Sequence, residues 1–160
     1  MLFRSQWTPN STGHWEAQNI KKVLTRGVES EMQTNWKIAH LKVNLAGRYS
    51  YTRSKSLANP AIADAVAGKQ LIYVPFHKWH GKLGLQYSGF RLNYWHRYTG
   101  RRYVTRDHSN YLNGYDVANV SLGKSYQLGS WMIDARISSH NVLDERYQEI
   151  AWRPMPGRSY

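Results

Sequence analysis

Apolar and polar side chains alternate along most of this chain with a period of two, the spacing that sends successive residues to opposite faces of a β-strand. The segment WKIAHLKVNLAGRYSY carries the clearest case: Ala39, Leu41, Val43, Leu45, Gly47, Tyr49 and Tyr51 fall on one face, and His40, Lys42, Asn44, Ala46, Arg48 and Ser50 on the other. Strands of globular domains run about 5–6 residues, whereas a tilted strand crossing a bilayer takes about 9–11, and this segment predicts the second kind. Further along, Trp79, Gly81, Leu83, Leu85 and Tyr87 oppose His80, Lys82, Gly84 and Gln86. After Ser88-Gly89, Phe90, Leu92, Tyr94, His96 and Tyr98 alternate with Arg91, Asn93, Trp95, Arg97 and Thr99, so two long strands meet at a two-residue hairpin. A third pair follows, with Ala118, Val120, Leu122 and Tyr126 on one face and Trp131, Ile133, Ala135 and Ile137 sharing a face beyond a turn at residues 127–130. Lys124 falls on the apolar side near that turn, where a long stem lets its amine reach polar surroundings. Weaker alternation of Val28, Ser30 and Met32 against Gly27, Glu29 and Glu31 predicts one more strand, ending in a turn at Thr34-Asn35.

Short connections at Thr34-Asn35, Ser88-Gly89 and residues 127–130 alternate strictly with longer polar ones at residues 54–70, 101–114 and 151–160. Tight turns at one end of a sheet and longer loops at the other are the habit of outer-membrane barrels. The expected fold is all-β: an antiparallel transmembrane β-barrel segment, a meander of about six long strands with short periplasmic turns and longer extracellular loops. Helix is limited to a turn or two at residues 60–67. No linker or low-complexity tract divides the chain, so residues 1–160 read as one domain.

Composition removes some alternatives and leaves one rival. The absence of Cys excludes disulfides, thiolate metal sites and Cys nucleophiles together. The longest stretch free of Asp, Glu, Lys and Arg covers residues 5–15 and is polar, whereas a membrane helix needs roughly 20 mainly apolar residues, so a helical membrane protein is excluded. The start, MLFRSQWTPN, has neither the apolar core nor the cleavage site of a secretory signal. A net charge of +12 accompanies 12 Tyr and 7 Trp. A soluble basic β-domain binding single-stranded nucleic acid or glycan shares that composition, but it mixes rings and cations on one exposed face. Here the long strands segregate them, which favours the barrel and argues against a nucleic-acid partner.

Motifs near both ends carry a resemblance to a known family. Trp7-Thr8-Pro9, Trp15, Asn19, Val23, Gly27 and Glu29 resemble the W-x-P loop and V-x-x-x-G-x-E strand of the TonB-dependent outer-membrane receptors. The stretch Asn141-Val142-Leu143-Asp144-Glu145-Arg146-Tyr147-Gln148 is similar to their N-L-F-D-x-x-Y motif, with Val142-Leu143 in place of Leu-Phe. Arg153-Pro154-Met155-Pro156-Gly157-Arg158-Ser159-Tyr160 is similar to their P-x-P-G-R loop before a last strand. Pro75-Phe76-His77-Lys78 and Tyr98-Thr99-Gly100-Arg101-Arg102-Tyr103 resemble the family's P-x-H-K and Y-x-G-x-R-Y segments. The vitamin B12 (cobalamin) branch is the nearest in pattern.

This resemblance implies part of a receptor in the Gram-negative cell outer membrane that imports a scarce solute such as a metal chelate or cobalamin. Residues 1–160 are then expected to be a partial barrel domain, without plug, TonB box, signal peptide or final strand. The implied partners are the remainder of the barrel and its plug, the TonB complex through that plug, and outer-membrane lipid. The family's barrel does no chemistry, so no cofactor is expected.

Two sets of residues are candidates for function. Glu29, Glu31, Arg48, Lys82, Arg91, Arg97 and Arg136 are expected to face the lumen, where the cations form a basic channel wall, or simply supply the charge any polar lumen carries, with Glu29, Glu31 and Asp134 neutralising some of it. In the loops Tyr103, Arg106, Tyr111 and Trp152, with His108 beside them, are the expected ligand contacts; rim aromatics also occur without any ligand. The seven His residues form no metal motif: His77 and His80 are three apart, hence on opposite faces of a strand, and His14 and His140 have no spaced partner. Asp107-His108-Ser109 is a loop tripeptide that cannot converge as a catalytic triad, and neither a G-x-S-x-G elbow nor a phosphate loop occurs. An enzyme is not expected.

Overall fold

The computed structural model describes residues 4–9, 12–20, 23–57 and 67–160. In chain order the strands are β1 (Arg4–Pro9), β2 (Trp15–Ile20), β3 (Val23–Ile38), β4 (Leu41–Ser56), β5 (His77–Tyr87), β6 (Phe90–Thr99), β7 (Arg102–Tyr103), β8 (Tyr111–Leu112), β9 (Tyr115–Leu128), β10 (Trp131–Ser139), β11 (Gln148–Ile150) and β12 (Arg153–Pro154). The six long strands form one antiparallel sheet in the order β10-β9-β6-β5-β4-β3, a meander. The pairs β1–β2, β7–β8 and β11–β12 are small separate ladders.

The alternation read from sequence survives as register. Trp36, Val43, Leu85, Leu92, Leu122 and Ile137 are successive ladder partners, so one apolar row crosses the whole sheet. The next row toward the long connections includes Leu45, Leu83, Tyr94 and Val120. Each directly opposed pair contributes roughly 0.2–1 kcal/mol relative to Ala–Ala. On the opposite face, Asn35, Asn44, Gly84, Asn93, Ser121 and Ser138 make an equally continuous polar row. A one-residue slip in any strand exchanges the two faces, which is why the register is well specified.

One predicted turn is misplaced. Thr34 and Asn35 lie inside β3, paired with Leu45 and Asn44, and the chain reverses instead at Ala39-His40. Asn35 is polar because its face is polar, which imitates a turn signal. The true turn puts Ala39 at φ 51 without the Gly or Asn that usually marks such a position, so Ala39 and His40 leave the strand faces assigned to them. The other short connections are Ser88-Gly89, with φ 46 and 77, and Gly129-Ser130, tighter than the predicted residues 127–130. β4 continues to Ser56, so the first long connection is residues 57–76; the predicted helical turn falls on residues 60–66, outside the described residues, and Ala67 lies in a turn.

The sheet is a single layer. The buried apolar residues, Tyr115, Val117 and Ala118 of β9 with Leu71 and Ile72 of the first long connection, gather toward the long-connection end. By contrast Val28, Ile38, Leu128, Trp131 and Ile137 on the apolar face are each at least 65% exposed, so no protein layer covers them.

Candidate functional site

The polar face carries all seven residues assigned to it. Glu31, Arg48, His80 and Arg97 stand in one row, Lys82 pairs with Trp95 in the next, and Arg91 and Arg136 both oppose Gly123. Three of the cations have carboxylate partners: Arg48 donates to Glu29 at 2.9 Å, Arg97 to Glu149 at 3.0 Å, and Arg91 to Asp134, which also accepts from the Ser125 hydroxyl. Lys82 lies 5.9 Å from the Trp95 ring centre, a cation–π contact. His77 bonds Tyr49 on the apolar face while His80 opposes Arg48 on the polar one, so the two cannot chelate together.

The three long connections are tied to one another. The Tyr73 amide donates to the Tyr103 carbonyl at 2.8 Å, and the Tyr73 hydroxyl accepts from the Ala151 amide. His108 bonds the Gln70 carbonyl at 2.8 Å and stacks on Tyr103 with ring centres 3.6 Å apart. Gln70 is itself buried, its amide group accepting from the Ser54 amide and donating to the Thr52 and Val74 carbonyls. Arg102, only 4% exposed, donates to the carbonyls of Gln148 and Glu149 and lies over the Tyr115 ring. Burial pushes its guanidinium pKa down, against the opposing influence of Tyr115 and Glu149.

These ties place the predicted ligand contacts unevenly. Tyr103 and Tyr111 are ladder partners in β7–β8, with Arg101 over both rings at 5.5 and 4.9 Å. Arg106 sits in the exposed tip between them. Trp152 belongs to a different turn, between β11 and β12, and is 92% exposed at φ 67. None of the four lines the two large open cavities. The larger, about 760 Å³, lies between the polar face and the folded-back C-terminal segment and includes Arg48, His80, Lys82, Arg97 and Tyr147. The second, about 710 Å³, is bounded by Trp15, Tyr73, Arg102, Tyr115 and Glu149. Sequence parity found Arg48, Lys82 and Arg97 among the cations of these cavities but not Arg102, nor Tyr115, Tyr147 and Glu149, which only the return of the chain brings together.

The two C-terminal motifs turn out to be one physical unit. Asn141 is 4% exposed at φ 50; its amide nitrogen donates to the carbonyls of Glu145 and Pro156, and its amide oxygen accepts from the Glu145 amide. Asp144 accepts from the Arg158 amide at 3.0 Å, and a Cβ on Gly157 would come within 3.3 Å of that carboxylate. The Asn and Asp of the first motif thus clamp the Pro-Gly-Arg of the second. Tyr147 stacks on Tyr115 at 4.3 Å, and burial pushes its hydroxyl pKa up.

Residues 2–141 match the model of the TonB-dependent receptor-like β-barrel family. The chain belongs to that family. Among solved structures it is similar to BauA, the ferric preacinetobactin receptor from Acinetobacter baumannii, with a TM-score of 0.69 at 16% identity. That likeness of fold covers 98% of this chain and 24% of BauA, so the chain spans about a quarter of that protein's length. A search of curated proteins finds no match. In a TonB-dependent receptor barrel the apolar face meets lipid, and its dimensions here suit one. From Leu41 to Tyr51, β4 covers roughly 34 Å, or about 24 Å of height at a 45° tilt, against an apolar band of about 25 Å. Tyr49, Trp79 and Tyr98 rim this TonB-dependent receptor segment toward the long loops, and Tyr87, Phe90, Tyr126 and Trp131 toward the turns. Lys124, on the apolar face, lies 3.6 Å from the Phe90 ring centre and donates to the Ser88 carbonyl at 2.7 Å, so its amine ends among the turn's polar groups.

Proposed function

We propose that residues 1–160 form part of the barrel wall and the extracellular loop face of a Gram-negative outer-membrane receptor that imports a scarce solute, a metal chelate or cobalamin. The observation that carries this reading is the segregated register: one face mainly apolar and uncovered, the other polar with partly neutralised cations. The remainder of the barrel would close the sheet between β3 and β10. A plug resting against the polar face would connect the receptor to the TonB complex. Glu29, Glu31, Arg48, Lys82, Arg91, Arg97 and Arg136 then line the lumen.

Within this reading Tyr103, Arg106, Tyr111 and Trp152 are the solute contacts of an outer vestibule. The exposed rings of Tyr111 and Trp152 support it, since aromatic and Arg side chains dominate recognition surfaces and each anchor contributes about 2 kcal/mol or more when truncated. Replacing all four by Ala in the complete receptor is expected to lower whole-cell uptake while leaving barrel insertion intact. Unchanged uptake places recognition elsewhere in the receptor, with the cavity residues Tyr115 and Tyr147 the next to replace.

A further inference from the structure

Beyond Tyr51 the character of β4's lipid-facing side reverses. The next two residues of that parity are Arg53 and Lys55, and directly across the ladder from Arg53 stands Arg26. At about 3.4 Å of rise per residue they lie roughly 7 and 14 Å further along the strand than Tyr51, just past the aromatic rim that marks the headgroup level. The inward parity at the same height is uncharged, with Thr52, Ser54 and Ser56, and the Ser54 hydroxyl meets that of Thr25 at 2.9 Å. Lower on β4 the cations Lys42 and Arg48 point inward; here they point outward.

Two Arg side chains directly opposed on an antiparallel pair destabilise it. No ion pair among the described residues joins Arg26, Arg53, Lys55 or Lys69 to a carboxylate. The chain then returns and adds walls, leaving a pocket of about 250 Å³ lined by Arg53, Lys55, Lys69, Gln70, Phe76 and His108. Its floor is fixed by the Gln70 bonds and by His108 stacked on Tyr103, and Lys69 is held to the Asp107 carbonyl at 2.8 Å. Phe76, one of its lining residues, stacks on Tyr51, so the pocket adjoins the upper end of the apolar strip of β4.

We propose that this pocket binds the phosphate of an outer-leaflet lipid headgroup. Arg26 stands across the ladder from Arg53 and outside the pocket lining, so an anion held at Arg53 lowers the repulsion between the two, and the Arg53 guanidinium matches phosphate oxygens two at a time. Acyl chains of the same molecule run down over Tyr51, Leu45 and Val43. The inference rests on the membrane placement of the apolar face given above.

The test uses the complete receptor in neutral detergent, titrated with short-chain phosphatidic acid, with phosphatidylcholine of the same chain length and with inorganic phosphate. Phosphatidic acid is expected to bind tightest, and the R53Q/K55Q double variant to weaken it roughly tenfold or more, while K42Q at the opposite end of β4 changes nothing. R26Q, which touches none of the loop bonds, supplies an independent reading and is expected to weaken binding as well. Undiminished phosphatidic acid binding by the folded double variant or by R26Q overturns the site. Equal affinity for inorganic phosphate overturns the lipid assignment in favour of a free anion. A receptor that inserts normally into bilayers yet shows no preference for phosphatidic acid refutes the pocket and leaves the membrane placement standing.

Discussion

Asn141 shows how much of the family pattern is local chemistry. A buried amide that makes three side-chain hydrogen bonds leaves unpaired backbone groups when it is removed, at about 1–3 kcal/mol for a group left unsatisfied. Asn141→Ala is expected to free residues 153–160 from the clamp, read as faster amide exchange and protease cleavage there with the six long strands unaffected. Asp107 illustrates the same economy in an exposed loop. Hydrogen bonds from Thr105 first and then Ser109 lower its pKa from 3.8 to about 2. Because the folded value lies below the unfolded one, its stabilising contribution is full above about pH 4 and fades as pH falls toward 2. Amide protection factors at Ser109 and Asn110, with the intrinsic pH dependence of exchange divided out, should therefore be constant through neutral pH and fall only below about pH 4; in Asp107→Asn they should be low throughout. Gly27 is constrained differently, since a Cβ there would stand 2.3 Å from the Tyr51 carbonyl oxygen.

Each long strand has two surfaces with opposite solvents, and substitution tests them separately. Val43 and Leu85 are ladder partners on the apolar face near mid-band, and Asn44 opposes Gly84 on the polar face. Arg at Val43 or Leu85 is expected to cost about 2–4 kcal/mol in the folded receptor, falling to roughly 0–1 near the rims. Arg at Asn44 or Gln86 should cost much less. Reversible unfolding of the complete receptor in lipid vesicles measures the contrast, and equal cost at both parities would contradict the membrane orientation.

Taken as a whole, the sheet ends, among the described residues, in two long unpaired edges, β3 and β10, and carries an apolar face with no partner layer. Backbone groups in a bilayer must find partners, and exposed edges in water template association. The isolated 18.7 kDa chain is therefore expected to run as oligomers in detergent rather than as a monomer, by size-exclusion chromatography with light scattering. Pro in β10 at Met132 or Arg136 should reduce that association, because the N–H it removes points to the free edge and not to β9.

Strand number, parity, the two-residue hairpin at Ser88-Gly89 and the alternation of short and long connections were all legible in the sequence. They depend on a period-two pattern that a chain must display wherever its two faces meet different solvents. The turn at Ala39-His40 was not legible, because ladder pairing out to Ile38 and Leu41 overrides the absence of a favoured turn residue. Nor was the loop face. Tyr115, Tyr147 and Glu149, the Asn141–Pro156 clamp, the buried Arg102 and the outward pocket around Arg53 join residues from distant parts of the chain. Local pattern says which way a side chain points, but only the packed tertiary structure decides which returning segment it meets.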